Sequence, residues 1–512
     1  MTFAELLRGV AVESASSHAE QVAISGLHHD SRKITRGYVF VAMKGDSTDG
    51  NRYIDEAVAQ GAVAVVSDSA SEAPRPNVAW ARVAHGRRAL AGLSANFFSH
   101  PEAKLTITGV TGTNGKTTTT FLLSQILSAA GGGEVVLIGT VEYHVAGKVV
   151  AAPHTTPESL EVLRIFAEAV HTKPPATEAV MEVSSHALEQ ERVYGIPYDV
   201  AVFTNLTRDH LDYHGTMEQY FAAKKLLFSG LGAPPPRVAV INSDDAAGRE
   251  LAVHSERAGS QVMTYGLQSG DFRAGEILMS PAGTRLQLQT PFGRAEIASP
   301  LLGKINVYNL LAALAAATAR GVAVEQLGSA AANVHSAPGR FEQVECGQSF
   351  SVVVDYAHTD DALRNLTALA REFVAAQRKA GRVITLFGCG GDRDRSKRPL
   401  MGRAAGEGSD LVVLTSDNPR SEEPMAIIED ALPGLRLTGT RFAVEPDRRK
   451  AITLAISEAQ AGDIVLIAGK GHERVQVVGK QSLPFDDVEV AREALQGLGH
   501  ATSKASAIGG RR

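Results

Sequence analysis

The stretch Leu105–Ala130, LTITGVTGTNGKTTTTFLLSQILSAA, decides how this chain is read. Leu105–Thr108 reads as a short buried strand and Gly109–Gly115 as a tight glycine-rich turn. Thr117–Ala129 reads as a helix, with Leu122, Leu123, Ile126 and Leu127 at helical spacing. Strand, glycine loop and helix start together make a phosphate cradle. Backbone N–H groups and the helix N-terminus face the anion, Lys116 reaches the outer phosphates, and Thr117 can ligate Mg²⁺. The nucleotide-binding candidates are Gly112, Thr113, Asn114, Gly115, Lys116, Thr117 and Thr118. The general pattern wants a glycine at Val110, whereas the glycines here are Gly109, Gly112 and Gly115. A glycine turn with an incidental lysine is the competing explanation. Lys116-Thr117 at the required place after a strand argues against it.

Working outward, 512 residues suggest roughly three domains, and 44% apolar content is enough for full cores. A net charge of −5 gives no reason to expect a nucleic-acid partner. The two cysteines, Cys346 and Cys389, make neither a disulfide framework nor a metal-ligand spacing, which fits a reduced cytoplasm. The opening MTFAELLRGVAVES has no basic region before a long apolar core, so no signal peptide is expected. The alanine-rich run near Leu310–Ala319 is about half of what a membrane span needs, so membrane insertion is not expected either.

The first unit, residues 1–100, holds a strand at Tyr38–Met43, another at Ala62–Val66 and a helix at Gly86–Phe98, with His29-Asp30-Ser31-Arg32 before the first strand. The second, 101–335, repeats a strand followed by a polar cluster. Val135–Ile138 leads to Gly139-Thr140, Ala179–Val183 to Ser184-Ser185-His186, Val200–Phe203 to Thr204–His210, and Val238–Ile241 to Asn242–Asp245. Strands alternating with helices imply a parallel sheet, whose ligands bind beyond the strands' carboxyl ends. Residues 260–300 read as a small antiparallel insert. The third unit, 336–498, continues the theme. Its strands run into Asp355–His358, Gly388–Asp394, Ser416–Arg420 and Gly469–Glu473. Residues 499–512 read as a disordered tail.

The variant TGTNGKTTT at Thr111–Thr119 is more specific than the general phosphate-loop pattern. It resembles the ATP-dependent Mur ligases, which join amino acids to the cell-wall precursor, and their folylpolyglutamate synthetase relatives. Asn205–Gly215 (NLTRDHLDYHG) resembles the same family, and Glu182–His186 (EVSSH) resembles the branch that adds the third peptide residue. The resemblance implies an α/β fold of three domains: a UDP-sugar-binding N-terminal domain, a central phosphate-loop ATPase domain with a parallel sheet, and a C-terminal Rossmann-like domain that binds the amino acid. It implies ATP and Mg²⁺ as cofactors, with Thr117, Glu182, His210 and a carbamylated Lys224 around the metal. Lys116, Glu182, His210 and Lys224 are then the catalytic candidates.

Helical spacing does not choose between Lys224 and Lys225 in Gln219–Phe228, because each has an aromatic residue four positions earlier. Only the family alignment points to Lys224. Chemically, an uncharged buried amine can add CO₂ to give an oxygen ligand suited to Mg²⁺. The same resemblance implies that Thr155, Thr156, Ser184, Gln190 and Arg192 hold the UDP-N-acetylmuramoyl-dipeptide. Ser31, Asp46, Ser47 and Thr48 would lie at its uridine end. Asn309 would lie at the adenine, with Arg340 and Asp355 near the ribose or phosphates. One departure is Asp360, where the family usually has proline.

Asp417-Asn418-Pro419-Arg420 resembles the motif of members that add meso-diaminopimelate. Diaminopimelate differs from lysine by a second carboxylate. Arg420 can grip that carboxylate with two parallel N–H bonds and would repel lysine's terminal ammonium. Arg393, Gly469 and Glu473 complete the implied pocket. The expectation is a monomeric cytoplasmic enzyme adding diaminopimelate through an acyl phosphate. Lysine addition at the same step and folylpolyglutamate synthesis are the enzyme alternatives. A nucleotide-dependent binding or switch protein is the alternative of another class.

Overall fold

The structure, a computed structural model, describes residues 1–17, 19–45, 48–131, 133–280, 283–376 and 381–500. Its centre is an eleven-stranded sheet. Six parallel strands form the middle, in the spatial order Gln261–Gly266, Val238–Asn242, Tyr198–Phe203, Thr106–Thr111, Glu178–Glu182 and Val135–Ile138. Both faces are covered. Val180, Val200 and Val202 point into one apolar cluster, and Ala179, Met181, Ala201 and Phe203 into the other. That two-sided burial is why these strands read as continuous apolar runs and not as alternations. From Thr106–Thr111 the chain crosses to Val135–Ile138 on one side, and later from Glu178–Glu182 back to Tyr198–Phe203 on the other. The sheet therefore switches direction around the strand that feeds the phosphate loop, which is where a crevice opens.

The expected insert at 260–300 is instead part of this sheet. Phe272–Ser280 pairs in parallel with Gln261–Gly266 through Tyr265 and Gly266, then continues antiparallel through Gly283–Thr290 to Gly293–Ser299. At the opposite edge a hairpin, Glu142–Val145 with Lys148–Ala151, adds two antiparallel strands. Its four-residue strands are too short to show a clear period.

The alanine-rich helix spans Lys304–Ala319 and is buried nearly all round, packed with Phe121 and Leu127 of the helix Lys116–Gly131. A helix apolar on every side is a core helix, and among the described residues no helix is long and apolar enough to cross a membrane.

The N-terminal unit is a five-stranded sheet in the order Val12–Ala15, Ala79–Val83, Ala64–Ser67, Tyr38–Ala42, Gly26–His28. Tyr38–Ala42 is thus the third strand of the chain, not the first. Val12–Ala15 (VESA) is mostly exposed and Gly26–His28 has three residues, so neither carries a strong apolar signal. The C-terminal unit is a six-stranded sheet whose parallel strands run in the order Ser351–Asp355, Ile464–Ala468, Val383–Cys389, Leu411–Ser416, Arg441–Val444. Asp360 is the first residue of the helix Asp360–Ala376 and pairs with Arg364 at 2.8 Å. The first helical turn accepts proline and carboxylate alike, since its N–H groups are unpaired in either case and the helix dipole favours negative charge. The position therefore suits either residue. The last helix, Asp487–Gly497, is closed by Gly499 N–H on Gln496 O and His500 N–H on Leu495 O. The expected tail thus begins no earlier than 501, and residues 501–512 lie outside the described ones.

Candidate active site

The phosphate loop is built by close backbone approach. Gly112 (φ +149°) and Gly115 (φ +84°) are left-handed, and a Cβ on them would lie 1.9 Å from Thr204 Oγ1 and 2.3 Å from Asn309 Oδ1. Val110, where the general pattern has glycine, is a fully buried strand residue, so the turn starts two residues later. Residues of the NLTRDHLDYHG segment brace the loop. Asn205 O accepts from Thr113 N–H at 2.9 Å, Asn205 Oδ1 from Asn114 N–H at 2.9 Å, and Thr204 Oγ1 donates to Asn114 O at 2.6 Å. Lys116 Nζ folds back onto Gly112 O (3.0 Å) and Thr113 O (2.9 Å). Burial depresses its pKa, so an anion in the loop would be a favourable partner.

Glu182 is fully buried at the end of its strand. Its carboxylate accepts from Thr140 N–H at 2.7 Å, Thr140 Oγ1 at 3.0 Å and Thr117 Oγ1 at 3.1 Å. Arg340 Nη2 donates to the same Thr117 oxygen at 3.1 Å, across from the C-terminal unit. One hydroxyl thus ties the phosphate loop to the carboxylate and to a guanidinium.

Of the two adjacent lysines, the fold separates what spacing could not. Lys224 is 1% exposed, donates to Gly112 O at 2.9 Å, and lies 4.3 Å from the Tyr220 ring centre. Burial, followed by the neighbouring Lys116 charge, drives its pKa well below the usual lysine value. Lys225 lies over Phe221 and pairs at 2.5 Å with the exposed Glu250. His210 is left-handed (φ +54°), with its N–H on Asp209 Oδ1 at 2.9 Å and its ring 4.8 Å from that of His186. Burial lowers the His210 imidazole pKa, and the neighbouring Asp209 opposes that shift.

A cleft between the central and C-terminal sheets is lined by Thr113 to Thr117, Thr140, Thr155, Thr156, Glu182, Ser184, His186, Arg192, Asp209, His210, Arg340, Tyr356, His358 and Arg393. Thr156 Oγ1 bridges Glu182 O (2.8 Å) and Ser184 N–H (3.0 Å), and the Thr155 and Thr140 hydroxyl oxygens lie 3.1 Å apart, with Thr140 free to accept since its proton goes to Glu182. Arg192 is held by Gln190 Oε1 at 2.9 and 2.6 Å and by Thr156 O at 3.1 Å. Beside it the N-terminal unit docks, with Arg87 on Gln190 O and Arg88 on Glu191. Ser31, buried in the turn Ser31–Lys33, and exposed Thr48 lie in that N-terminal unit and outside the cleft lining. Asp46 and Ser47 lie outside the described residues.

A second, adjoining cavity is lined by Thr118, Asn306, Asn309, Arg340, Asp355, Tyr356, Asn365 and Leu369, among others. Arg340 stacks 4.6 Å from the Tyr356 ring centre, and its buried Nε has no partner among the described residues. Asp355 Oδ2 and Oδ1 accept from Phe341 N–H (2.7 Å) and Ala357 N–H (2.8 Å), which fixes the linker that carries Arg340. Burial raises the Asp355 pKa.

In the C-terminal unit, Arg420 is left-handed (φ +52°) and half-buried, with Nη1 donating to Gly391 O at 2.7 Å. The hairpin Val475–Val478/Gln481–Pro484 pins the 417–420 turn: Arg420 N–H donates to Val477 O at 3.0 Å, and Gln476 Nε2 to Asp417 O at 2.7 Å. Pro419 O sits where a Cβ on Gly391 would fall. A Cβ on Gly469 (φ +116°) would meet Asp417 Oδ2 at 2.5 Å. Glu473 faces a neighbouring cleft together with Glu142, Arg474 and Arg492.

Asp361 is brought to these sites without having been singled out in the sequence, and Thr140, Asp209 and His358, read there only as members of strand-end clusters with no assigned role, line the cleft. Thr140 had a usable signal, since it follows a parallel strand on the carboxyl edge. Conversely, the Asn242–Asp245 cluster is structural. Asn242 Nδ2 donates to Thr204 O, Asp244 gathers the 267–269 turn and Tyr308, and Asp245 caps a helix.

Three α/β units around a phosphate loop, with a buried carboxylate and lysine on it, define a multidomain nucleotide-using protein of the phosphate-loop class. The chain belongs to the Mur ligase family. Family models for the Mur ligase family catalytic domain, the Mur ligase middle domain and the Mur ligase glutamate ligase domain match residues 23–98, 110–317 and 339–471. The chain is 51% identical over 502 residues to the UDP-N-acetylmuramoyl-L-alanyl-D-glutamate–2,6-diaminopimelate ligase of Solibacter usitatus, covering 98% of this chain and 99% of that protein. It is 46% identical over 479 residues to the ligase of the same name from Geobacillus thermodenitrificans, covering 92% and 95%. A solved structure of a UDP-N-acetylmuramoyl-L-alanyl-D-glutamate–2,6-diaminopimelate ligase is similar with a TM-score of 0.66 at 35% identity, over 98% of this chain and 100% of that one.

Proposed function

We propose that this protein is the ATP-dependent ligase that adds meso-2,6-diaminopimelate to UDP-N-acetylmuramoyl-L-alanyl-D-glutamate in the cytoplasm. The observation that carries the reading is the Thr117 hydroxyl. It stands 3.1 Å from both Glu182 and Arg340, so phosphate loop, buried carboxylate and C-terminal guanidinium share one point. The identity with diaminopimelate ligases over nearly the whole chain supports the choice of substrate.

In the first stage the D-glutamate side-chain carboxylate attacks the γ-phosphorus of ATP. A new O–P bond forms, the bond to the β-phosphate oxygen breaks, and ADP leaves. In the second, an amine of diaminopimelate adds to the acyl phosphate carbon, the tetrahedral adduct expels phosphate, and the nitrogen loses a proton. Lys116 exchanges its two carbonyl partners for phosphate oxygens, and the loop N–H groups hold the anion. Arg340, whose Nε has no partner among the described residues, takes a ribose or phosphate oxygen. Asn309 recognises adenine from the adjoining cavity. Arg192, Thr155, Thr156 and Ser184 hold the peptide end of the UDP-sugar, and Arg420 the far carboxylate of diaminopimelate.

The donor set at the loop suits Mg²⁺, which prefers oxygen: Thr117 Oγ1 and the Glu182 carboxylate are 3.1 Å apart. Held by Thr117 and Glu182, the ion would supply positive charge against the phosphoryl oxygens. Lys224 contributes a further oxygen ligand once its neutral amine adds CO₂, forming an N–C bond and releasing one proton. His210 lines the same cleft as Thr117 and Glu182.

The test is the mass of the product formed from ATP, the UDP-linked dipeptide and either diaminopimelate or lysine. The expected product carries diaminopimelate, with one phosphate released per amide. Faster lysine turnover would assign the lysine-adding activity instead.

A further inference from the structure

Lys470 has no role in the account above, yet its side chain is fully buried behind the amino-acid pocket. It sits between two left-handed glycines, Gly469 (φ +116°) and Gly471 (φ +52°), which turn it inward. Its Nζ donates to Glu473 Oε2 at 3.0 Å and to Asn418 Oδ1 at 3.1 Å. Asn418 Nδ2 donates to the same Glu473 Oε2 at 2.8 Å, and Val477 N–H to Asn418 Oδ1 at 2.9 Å. The asparagine amide therefore has one orientation: its oxygen faces two donors and its nitrogen faces the carboxylate. Glu473 Oε2 is occupied twice, which leaves Oε1 for a ligand. The Glu473 side chain is 29% exposed while the lysine behind it is 0%.

From this we infer that Lys470 is a positioning residue for the amino-acid substrate. It acts through Glu473 and Asn418, presenting a single carboxylate oxygen to a substrate ammonium and locking the Asn418 amide. A carboxylate free to rotate could receive an ammonium in several poses, whereas one pinned at Oε2 receives it in one. Preorganisation of this kind lowers the ordering cost of binding. The inference rests on the proposed diaminopimelate-adding function and deepens it by giving Glu473 and Lys470 a place in amino-acid binding.

The experiment uses the full-length enzyme with Lys470→Met, Glu473→Gln and the double variant. Phosphate release is followed while diaminopimelate, ATP and the UDP-linked dipeptide are varied in turn. In Lys470→Met the KM for diaminopimelate should rise by about tenfold or more, as for loss of a buried charged hydrogen bond. The KM values for ATP and the UDP-linked dipeptide should stay within about twofold. In the Glu473→Gln background, adding Lys470→Met should cost less than about twofold, because the two act as one unit. Equal rises in all three KM values, or the same penalty in both backgrounds, would overturn the inference. Should Lys470→Met not accumulate as folded protein, Lys470→Gln, which keeps an N–H donor but loses the charge, carries the same comparison with a smaller expected rise of about threefold in the KM for diaminopimelate alone; no rise, or equal rises in all three KM values, overturns the inference. A wild type that turns over diaminopimelate alongside an unaffected Lys470 variant defeats only the role of Lys470. A wild type inactive with diaminopimelate defeats the functional reading beneath it as well.

Discussion

Asn114, in the phosphate loop, donates from Nδ2 to Asp361 Oδ2 at 2.8 Å, across 247 positions of sequence. Asp361 lies in the first turn of the helix Asp360–Ala376, whose residues Asn365, Leu366 and Leu369 line the cavity beside Asn309. A single hydrogen bond thus joins the loop of one sheet to a helix of another, beside the cavity that Asn309 lines. Burial raises the Asp361 pKa, so this contact belongs to a desolvated seam.

Removing that contact should be felt by the nucleotide. Asp361→Ala should lower kcat/KM for ATP by about tenfold, the size of one hydrogen bond to a carboxylate. Initial rates with ATP varied at saturating peptide and amino acid check this, and an unchanged value would show that the seam does not bear on ATP.

Lys224 and Lys225 should differ sharply. Lys224→Ala should cost at least about a hundredfold in kcat through loss of a charge-stabilising ligand. A short carboxylic acid added to the assay should restore part of it. Lys225→Ala breaks a pair with the exposed Glu250 and a contact with the Phe221 ring, neither of them on the phosphate loop, and should stay within about twofold. Equal losses in the two variants would deny the distinction drawn by burial.

Arg420→Lys should keep the charge but lose the planar fork. The expected result is a drop of about ten- to a hundredfold in kcat/KM for diaminopimelate, with relaxed rejection of lysine. Competition between the two amino acids, read by product mass, measures the ratio.

Stability should fall with acid in a defined window. Burial pushes His29 and His214 from 6.5 down to about 4, so both are neutral in the fold. Below pH 6.5 the unfolded chain binds protons that the folded one refuses, and stability declines as pH falls. The share due to these two imidazoles levels off near pH 4, where they protonate in the fold as well. Each site contributes at most about 3 kcal/mol, and less where water screens it. His29 Nδ1 is buried without a partner among the described residues, and its ring stacks on His28. His29→Phe should therefore leave stability near pH 6.5 unchanged or higher and flatten the decline. Denaturant midpoints at pH 6.5 and pH 4 test both statements.

The phosphate loop was legible because its chemistry is local. A strand, left-handed glycines, Lys116 and Thr117 lie within a dozen residues, and spacing alone places them. The parallel strands were legible because burial on both faces writes itself as apolar runs. The short edge elements were not. Val12–Ala15 and the Glu142–Ala151 hairpin draw their order from neighbours paired beside them, not from their own periodicity.

What the sequence determined by itself was the inventory: a phosphate-binding loop, strand-end clusters in parallel sheets, and a turn carrying Arg420. Only the tertiary structure decided which members of that inventory meet. It buried Lys224 on Gly112 and left Lys225 at the surface. It gave Asn242–Asp245 a structural task, and it set Lys470 behind Glu473. The physical reason is that a helix or strand period states which residues share a face. It does not state what that face will be pressed against, and burial, pKa and hydrogen-bond partners are properties of the contact.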